Sequence, residues 1–140
     1  MDRKASARWE GGLKDGQGTV KTESGVLDAN YSFKKRFEDE KGTNPEELIG
    51  AAHASCFSMA LSMILGDKGY TANSIDTNAS VTLKQNSQGF SISKIHLEVV
   101  ADIDGADEAS FQEAAETAKA NCPVSKVLNA DISMTAKLKG

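Results

Sequence analysis

The sequence predicts an α+β domain, mainly antiparallel in its strand pairing and built round one long central helix. Three observations carry that reading. Residues 48–65, LIGAAHASCFSMALSMIL, run for 18 positions without an acidic or permanently basic side chain. Thr43-Asn44-Pro45-Glu46-Glu47 stands immediately before them as a helix start. Strand-like alternation lies on both sides, most clearly over residues 74–84 and 90–99.

The elements follow in order. Residues 6–10 form a short first strand closed by Gly11-Gly12, and Asp15-Gly16-Gln17-Gly18 reads as a hairpin turn into a strand over 19–23. Ser24-Gly25 punctuates it. Residues 31–37 alternate, with Tyr31, Phe33 and Phe37 on one face and Ser32, Lys34 and Arg36 on the other, which predicts another strand. Thr43 or Asn44 then caps the long helix, Pro45 fits its first position, and Glu46 and Glu47 place negative charge at its N-terminus. Gly66 and Gly69 are its stop signals near Lys68. Roughly 24 residues at 1.5 Å each span about 36 Å, as wide as a globule of this size.

In the strand over 74–84, Ile75, Thr77, Ala79, Val81 and Leu83 share a face. In the next, Phe90 and Ile92 fall out of phase with Ile95, Leu97 and Val99, so a bulge is expected near Ser93-Lys94. Phe111, Ala114, Ala115 and Ala118 have helical spacing within 107–121, and Asn121-Cys122-Pro123 breaks that helix before a short one to about Asn129. Residues 131–139 form a last strand with Ile132, Met134, Ala136 and Leu138 inward.

Composition bounds the function. With 140 residues the chain is one domain, 1–140, and 39% hydrophobic with 26% charged residues suits a soluble globule. A domain this size buries only about two thirds of its unfolded surface, so a second subunit would add burial. The net charge is −4, without a Lys/Arg block, which argues against nucleic acid and anionic membranes as partners. The 48–65 stretch reaches the length of a membrane span. Its His53, Ser55, Ser58, Ser62 and Gly50 instead favour a buried central helix. MDRKASARWEGG has no apolar signal region, so a cytoplasmic address and reduced thiols are expected.

Two cysteines are the candidate reactive groups. Cys56 lies mid-helix among small apolar residues, where a free cysteine is ordinarily core. Cys122 precedes Pro123 near a helix N-terminus, a setting that lowers a thiol pKa. Their spacing forms no CxxC or metal motif. His53 and Cys56 share a helix face at i, i+3, which opens a cysteine-hydrolase reading, although no oxyanion-hole motif accompanies them. A zinc site from His53, Cys56, His96 and Cys122 lacks recognisable ligand spacing. Arg36, one of three arginines beside 13 lysines, reads as a solvated strand charge. Composition and spacing alone stop at an α+β domain with two thiols.

The segment Phe37-Glu-Asp-Glu-Lys-Gly-Thr-Asn-Pro-Glu-Glu-Leu-Ile-Gly-Ala-Ala-His-Ala-Ser-Cys-Phe-Ser-Met-Ala-Leu61 closely resembles the osmotically inducible protein C / organic hydroperoxide resistance (OsmC/Ohr) family, and Cys122-Pro-Val-Ser-Lys-Val-Leu128 resembles its second cysteine motif. The resemblance runs from Ala7-Arg-Trp-Glu to the last strand. It implies an intertwined homodimer of the OsmC-like fold and a cytoplasmic, thiol-dependent peroxidase that reduces organic hydroperoxides, with hydrogen peroxide an open second substrate. It implies that Cys56 is the peroxidatic cysteine, Cys122 the resolving one, Glu46 the active-site glutamate and Arg36 its arginine. Gly12-Leu-Lys-Asp-Gly16 lacks the arginine of the Ohr branch, and His53 agrees with the OsmC branch, so the OsmC branch is favoured. A dithiol reductant, with lipoyl-type dithiols the candidate class, is implied; no cofactor and no metal are.

The residue types suit that chemistry. A thiolate attacks the O–O bond, Arg36 would stabilise it and the departing alkoxide, and Glu46 would hold the guanidinium. Cys56 would become a sulfenic acid and condense with Cys122. Glu46 and Cys56 are ten positions apart, about 15 Å along a straight helix. They cannot share a site within one unbent helix, so Glu46 and Arg36 of one chain are expected to serve Cys56 of the other. The alternative class is a non-enzymatic small-molecule or lipid-binding dimer with incidental thiols.

Overall fold

Three short strands pair in chain order within the first 48 residues: β1 (Ala5–Glu10), β2 (Gln17–Thr22) and β3 (Asp28–Tyr31), all antiparallel. The computed structural model describes all 140 residues, in two compact units, Met1–Leu48 and Ile49–Gly140. In the first unit Glu10 pairs with Gln17, so the hairpin turn lies over 11–16 and Gln17 and Gly18 already belong to the strand. Gly18 sits in register between Trp9 and Tyr31, whose rings pack 5.4 Å apart. A Cβ at position 18 would come within 2.6 Å of the Tyr31 ring, so the absence of a side chain there lets the two aromatics close over the strand.

The expected strand over 31–37 is corrected. Only Tyr31 is strand; Ser32 caps a short helix, α1 (Phe33–Phe37), by accepting the Lys35 N–H at 3.2 Å. Positions 33 and 37 share a face in either period, and the deciding residue is Lys35. A strand would turn it to the apolar face, whereas a helix brings Phe33 and Phe37 together, their centroids 4.9 Å apart.

The long helix α2 (Pro45–Asp67) starts and stops on its sequence signals. Asn44 Oδ1 accepts the Glu47 N–H at 2.8 Å. At the other end Gly69 has φ +87°, and the N–H groups of Gly69 and Tyr70 donate to the carbonyls of Gly66 and Leu65. This is a Schellman closure, and the left-handed residue it needs is the glycine.

In the second unit β4 (Ala72–Asn86) and β5 (Gly89–Ile103) form the long hairpin. Thr82 pairs with Lys94 and Leu83 with Ile92, which leaves Ser93 as the extra residue and explains the phase slip. The helices α3 (Glu108–Asn121) and α4 (Pro123–Val127) carry the chain over to β6 (Asp131–Leu138). That crossover makes β6 parallel to β5, an exception to the antiparallel expectation. The core is formed by Phe57, Leu61 and Leu65 of α2, alternate residues Ile95, Leu97, Val99 and Ala101 of β5, and Phe111, Ala114, Ala115 and Ala118 of α3.

Burial on α2 is one-sided: Gly50, His53, Phe57, Leu61 and Leu65 are buried, while Met59 and Met63 remain 76% and 65% exposed. Over 48–65 the helix is uncharged, and by length and composition it could cross a membrane, yet only one stripe of it is covered within the chain. Replacing Phe57 or Phe111 by alanine should cost about 3–5 kcal/mol each. Urea denaturation measures this, and a loss below about 1 kcal/mol would contradict the core described.

Candidate active site

Arg36 and Glu46 are brought together in the first unit. Arg36 donates from Nε to Glu46 Oε1 at 2.9 Å and from its terminal nitrogen to Oε2 at 3.2 Å, a two-point pair that fixes the plane of the guanidinium. The side chain of Glu46 is 11% exposed and that of Arg36 35%. Removing the arginine would therefore strand the more deeply buried carboxylate. Asn44 ties the approach together by donating to the Lys35 carbonyl at 3.2 Å and to Glu47 Oε2 at 2.6 Å. Glu47 thus belongs to the helix cap. Arg36 also borders an apolar hollow of about 250 Å³ lined by Trp9, Leu13, Tyr31, Phe33 and Phe37.

The two thiols meet in the second unit. Cys56 on α2 and Cys122 at the α3–α4 break lie with their sulfurs 3.0 Å apart, both reduced. A disulfide bond is about 2.05 Å, so roughly 1 Å of closure joins them. Cys122 is completely buried, and its N–H donates to the Ala118 carbonyl at 2.9 Å as the last bond of α3. Pro123 contributes no N–H and opens α4.

The two thiols differ in how readily they ionise. Burial is the largest influence on Cys56 and pushes its pKa up; the contact with Cys122 adds to this, and a Val124 N–H opposes it only in part. Burial also pushes Cys122 up, but hydrogen bonds from Cys56, from the Ser125 N–H and hydroxyl and from the Val124 N–H outweigh it, so Cys122 stands below its ordinary value. In the fully protonated pair Cys122 donates to Cys56. Within this unit no cation is among the groups acting on Cys56.

His53 does not pair with Cys56 as a hydrolase would require. Its ring is completely buried, and Nε2 lies 2.7 Å from Ser125 Oγ. The other nitrogen, Nδ1, is buried without a partner. Ser125 was not singled out by the sequence; the one signal available was its place three positions after Cys122. His96 is engaged on the sheet by Ser133 and Thr135, at 2.6 and 3.2 Å. No group of three or more His, Cys, Asp or Glu side chains converges on a point where a metal ion would be held.

These features define an α+β protein with a vicinal thiol pair and a separate arginine–glutamate pair, and the comparison with known proteins gives its family. The model of the OsmC-like protein family matches residues 38–137. Peroxiredoxin OsmC of Escherichia coli (strain K12) is 55% identical over 140 residues, 99% of this chain and 98% of that protein. The organic hydroperoxide resistance protein OhrB of Bacillus subtilis (strain 168) is 29% identical over 87% of this chain and 89% of its own. Among solved structures, OhrB of Bacillus subtilis superimposes with a TM-score of 0.68 at 25% identity, covering 97% of this chain and 98% of that one. An OsmC-like protein from Mycoplasma pneumoniae shares the fold with a TM-score of 0.78 at 16% identity, over 100% and 99% of the two chains. The chain belongs to the OsmC-like family.

Burial holds the His53 pKa below its ordinary value near 6.5, so the folded protein keeps the ring neutral. Above about pH 6.5 both folded and unfolded forms are neutral and the stability is fully present; as pH falls below that value the unfolded chain takes up the proton first. Stability should therefore fall as the pH drops below about 6.5, by at most about 1.4 kcal/mol per pH unit from this residue. Urea midpoints across that range should show a smaller slope in His53→Gln than in the natural protein. Equal slopes would show that His53 is not buried neutral.

Proposed function

We propose that the chain is a thiol-dependent peroxidase that reduces organic hydroperoxides to alcohols, with Cys56 as the attacking thiol and Cys122 as the resolving one. The observation that carries this reading is the pair of reduced thiols 3.0 Å apart. The Cys56 thiolate attacks the distal peroxide oxygen, the O–O bond breaks, the alkoxide takes a proton to leave as alcohol, and Cys56 becomes a sulfenic acid. Cys122 attacks that sulfur, hydroxide leaves and is protonated to water, and the disulfide forms. A dithiol, of which lipoyl-type dithiols are the proposed class, restores both thiols by exchange and is itself oxidised to a disulfide.

Arg36 and Glu46 complete the site. Cys56 is pushed toward the protonated form by its surroundings, so the peroxidatic step needs a cation to draw out its thiolate. Arg36, aimed by Glu46, is that cation in this reading, supplied by the second chain of a homodimer. The uncovered apolar face of α2, with Met59 and Met63 exposed, supports a partner subunit. The hollow beside Arg36 supports an organic substrate, whose apolar part it would receive. The match to Escherichia coli peroxiredoxin OsmC over 99% of the chain supports one working domain over 1–140; the setting proposed for it is the cytoplasm, where thiols are kept reduced.

The direct test is peroxide consumption in the presence of a dithiol. An alkyl hydroperoxide should be reduced and Cys56→Ser should abolish turnover; without the dithiol, Cys122→Ser should form no disulfide and accumulate Cys56 as sulfenic or overoxidised acid. Stoichiometric peroxide should remove two hydrogens per natural chain by mass spectrometry; two free thiols afterwards would overturn the assignment. Full turnover by Cys56→Ser would favour a binding protein with incidental thiols.

Arg36→Ala should slow Cys56 oxidation about a hundredfold, equivalent to roughly 3 kcal/mol. Glu46→Ala should cause a related loss, with the double variant far from additive. Mixing Cys56→Ser with Arg36→Ala chains should restore one of two sites in the mixed dimer. Activity fixed at the level of the inactive parents, with subunit exchange confirmed, would contradict action across the dimer.

A further inference from the structure

We propose that the reduced thiol pair is a binding site for trivalent arsenic, taken up as neutral arsenous acid and held by Cys56 and Cys122 together on one arsenic atom. Uptake rests on the two sulfurs alone. That uptake also stops catalysis rests on the peroxidase reading, and the test separates the two.

The first observation is the spacing. The sulfurs of Cys56 and Cys122 lie 3.0 Å apart, both reduced. Two thiols make a soft donor set, and the spacing decides which soft centre fits it. On the scale of a zinc–thiolate bond, about 2.3 Å, a linear two-coordinate centre such as mercury(II) or copper(I) holds its sulfurs about 4.6 Å apart, far beyond this pair. A tetrahedral ion such as zinc needs further protein ligands. No group of three or more His, Cys, Asp or Glu side chains converges here, and Nε2 of His53 is engaged by Ser125. Trivalent arsenic is pyramidal, with bond angles close to a right angle, which on the same scale sets its sulfurs about 3.3 Å apart. It asks the protein for two sulfurs only, since hydroxide fills the third position. Accepting it opens the pair by about 0.3 Å, less than the roughly 1 Å of closure that a disulfide requires.

The second observation is the unequal depth of the two thiols. Cys122 is completely buried and Cys56 half-buried. Ala52 and Ala60, four positions before and after Cys56, put little bulk along its row of α2. A small uncharged molecule therefore meets Cys56 first, and the third position on arsenic stays on that side. In the first step an As–S bond to Cys56 forms and an As–O bond breaks, the thiol proton leaving with the hydroxide as water. Cys122 repeats the exchange within the same chain and releases a second water. Arsenic stays trivalent and neither sulfur is oxidised, so no oxidant or reductant takes part. The second bond forms at the high effective concentration of a neighbour already in contact, so the two-point hold far exceeds that of one thiol. While it lasts, neither sulfur is free to attack a peroxide.

The test treats the reduced full chain with arsenite, removes the excess and weighs the protein by mass spectrometry. The natural chain should carry one arsenic, added with loss of two waters, and both thiols should resist alkylation. Cys56→Ser and Cys122→Ser should each bind at least about a hundredfold more weakly. A free dithiol should strip the arsenic and restore both thiols, whereas a monothiol at the same thiol concentration should not. Peroxide added to the arsenic-loaded chain, with no dithiol present, should leave Cys56 unoxidised. Absence of the adduct from folded, reduced natural chain would overturn the proposal. So would retention of arsenic by Cys122→Ser as tightly as by the natural chain, or one arsenic joining two chains. If Cys122→Ser does not fold, Cys56→Ser, altered at the half-exposed position, carries the comparison. If the adduct forms but the arsenic-free natural chain consumes no peroxide, the peroxidase reading fails and the arsenic site stands. If peroxide is consumed and no adduct forms, the reverse holds.

Discussion

The seating of α2 on the β4–β5–β6 sheet and α3 governs the chemistry of the thiol pair. Phe57, Leu61 and Leu65 lock one stripe of the helix into the core, and that rotation sets the depth of every other side chain on it. Cys56, one position before Phe57, is carried to the edge of the core, half-buried and in contact with Cys122. His53, one turn earlier on the same stripe, is taken fully inside, where it meets Ser125 and not Cys56. A rotation of the helix by one residue, about 100°, would exchange these environments. The apolar packing is thus what assigns a partner to each polar group.

The sequence made some features plain because local chemistry alone determines them. Asn44-Pro45 and Gly69 mark the ends of α2 since caps depend on a few neighbouring residues. The slip between Ile92 and Ile95 marks the bulge at Ser93 since a strand has no other way to change phase. Other features were hidden for equally physical reasons. Over 31–37 the periods of strand and helix coincide at Phe33 and Phe37, and the decision rests on Lys35, which only a helix keeps off the apolar face, with Ser32 as its cap. The parallel direction of β6 leaves no trace in its own alternation, because period two is the same in either sense.

The site divides in the same way. Cys56 and Cys122 stood out as residue types, but a contact across 66 positions is set by tertiary packing. The roles of Arg36 and Glu46 rest on the family resemblance; charge and spacing alone read Arg36 as a solvated charge and Glu46 as a carboxylate of the first helical turn. Ser125 was passed over because a serine inside a five-residue helix carries no signal until its neighbours are known.

The position of Cys122 has one more consequence, for durability. In a thiol peroxidase the sulfenic acid faces two competitors, the second thiol and another molecule of peroxide, and attack by the latter leads to sulfinic acid, which a dithiol does not reverse. Where the second thiol must first unfold from a distant seat, rising peroxide wins that race. Here the two sulfurs already touch, and about 1 Å of motion separates them from a bond. Such a neighbour acts at a very high effective concentration. The arrangement suits a protein that keeps working through a burst of oxidant and does not register the burst by inactivating itself.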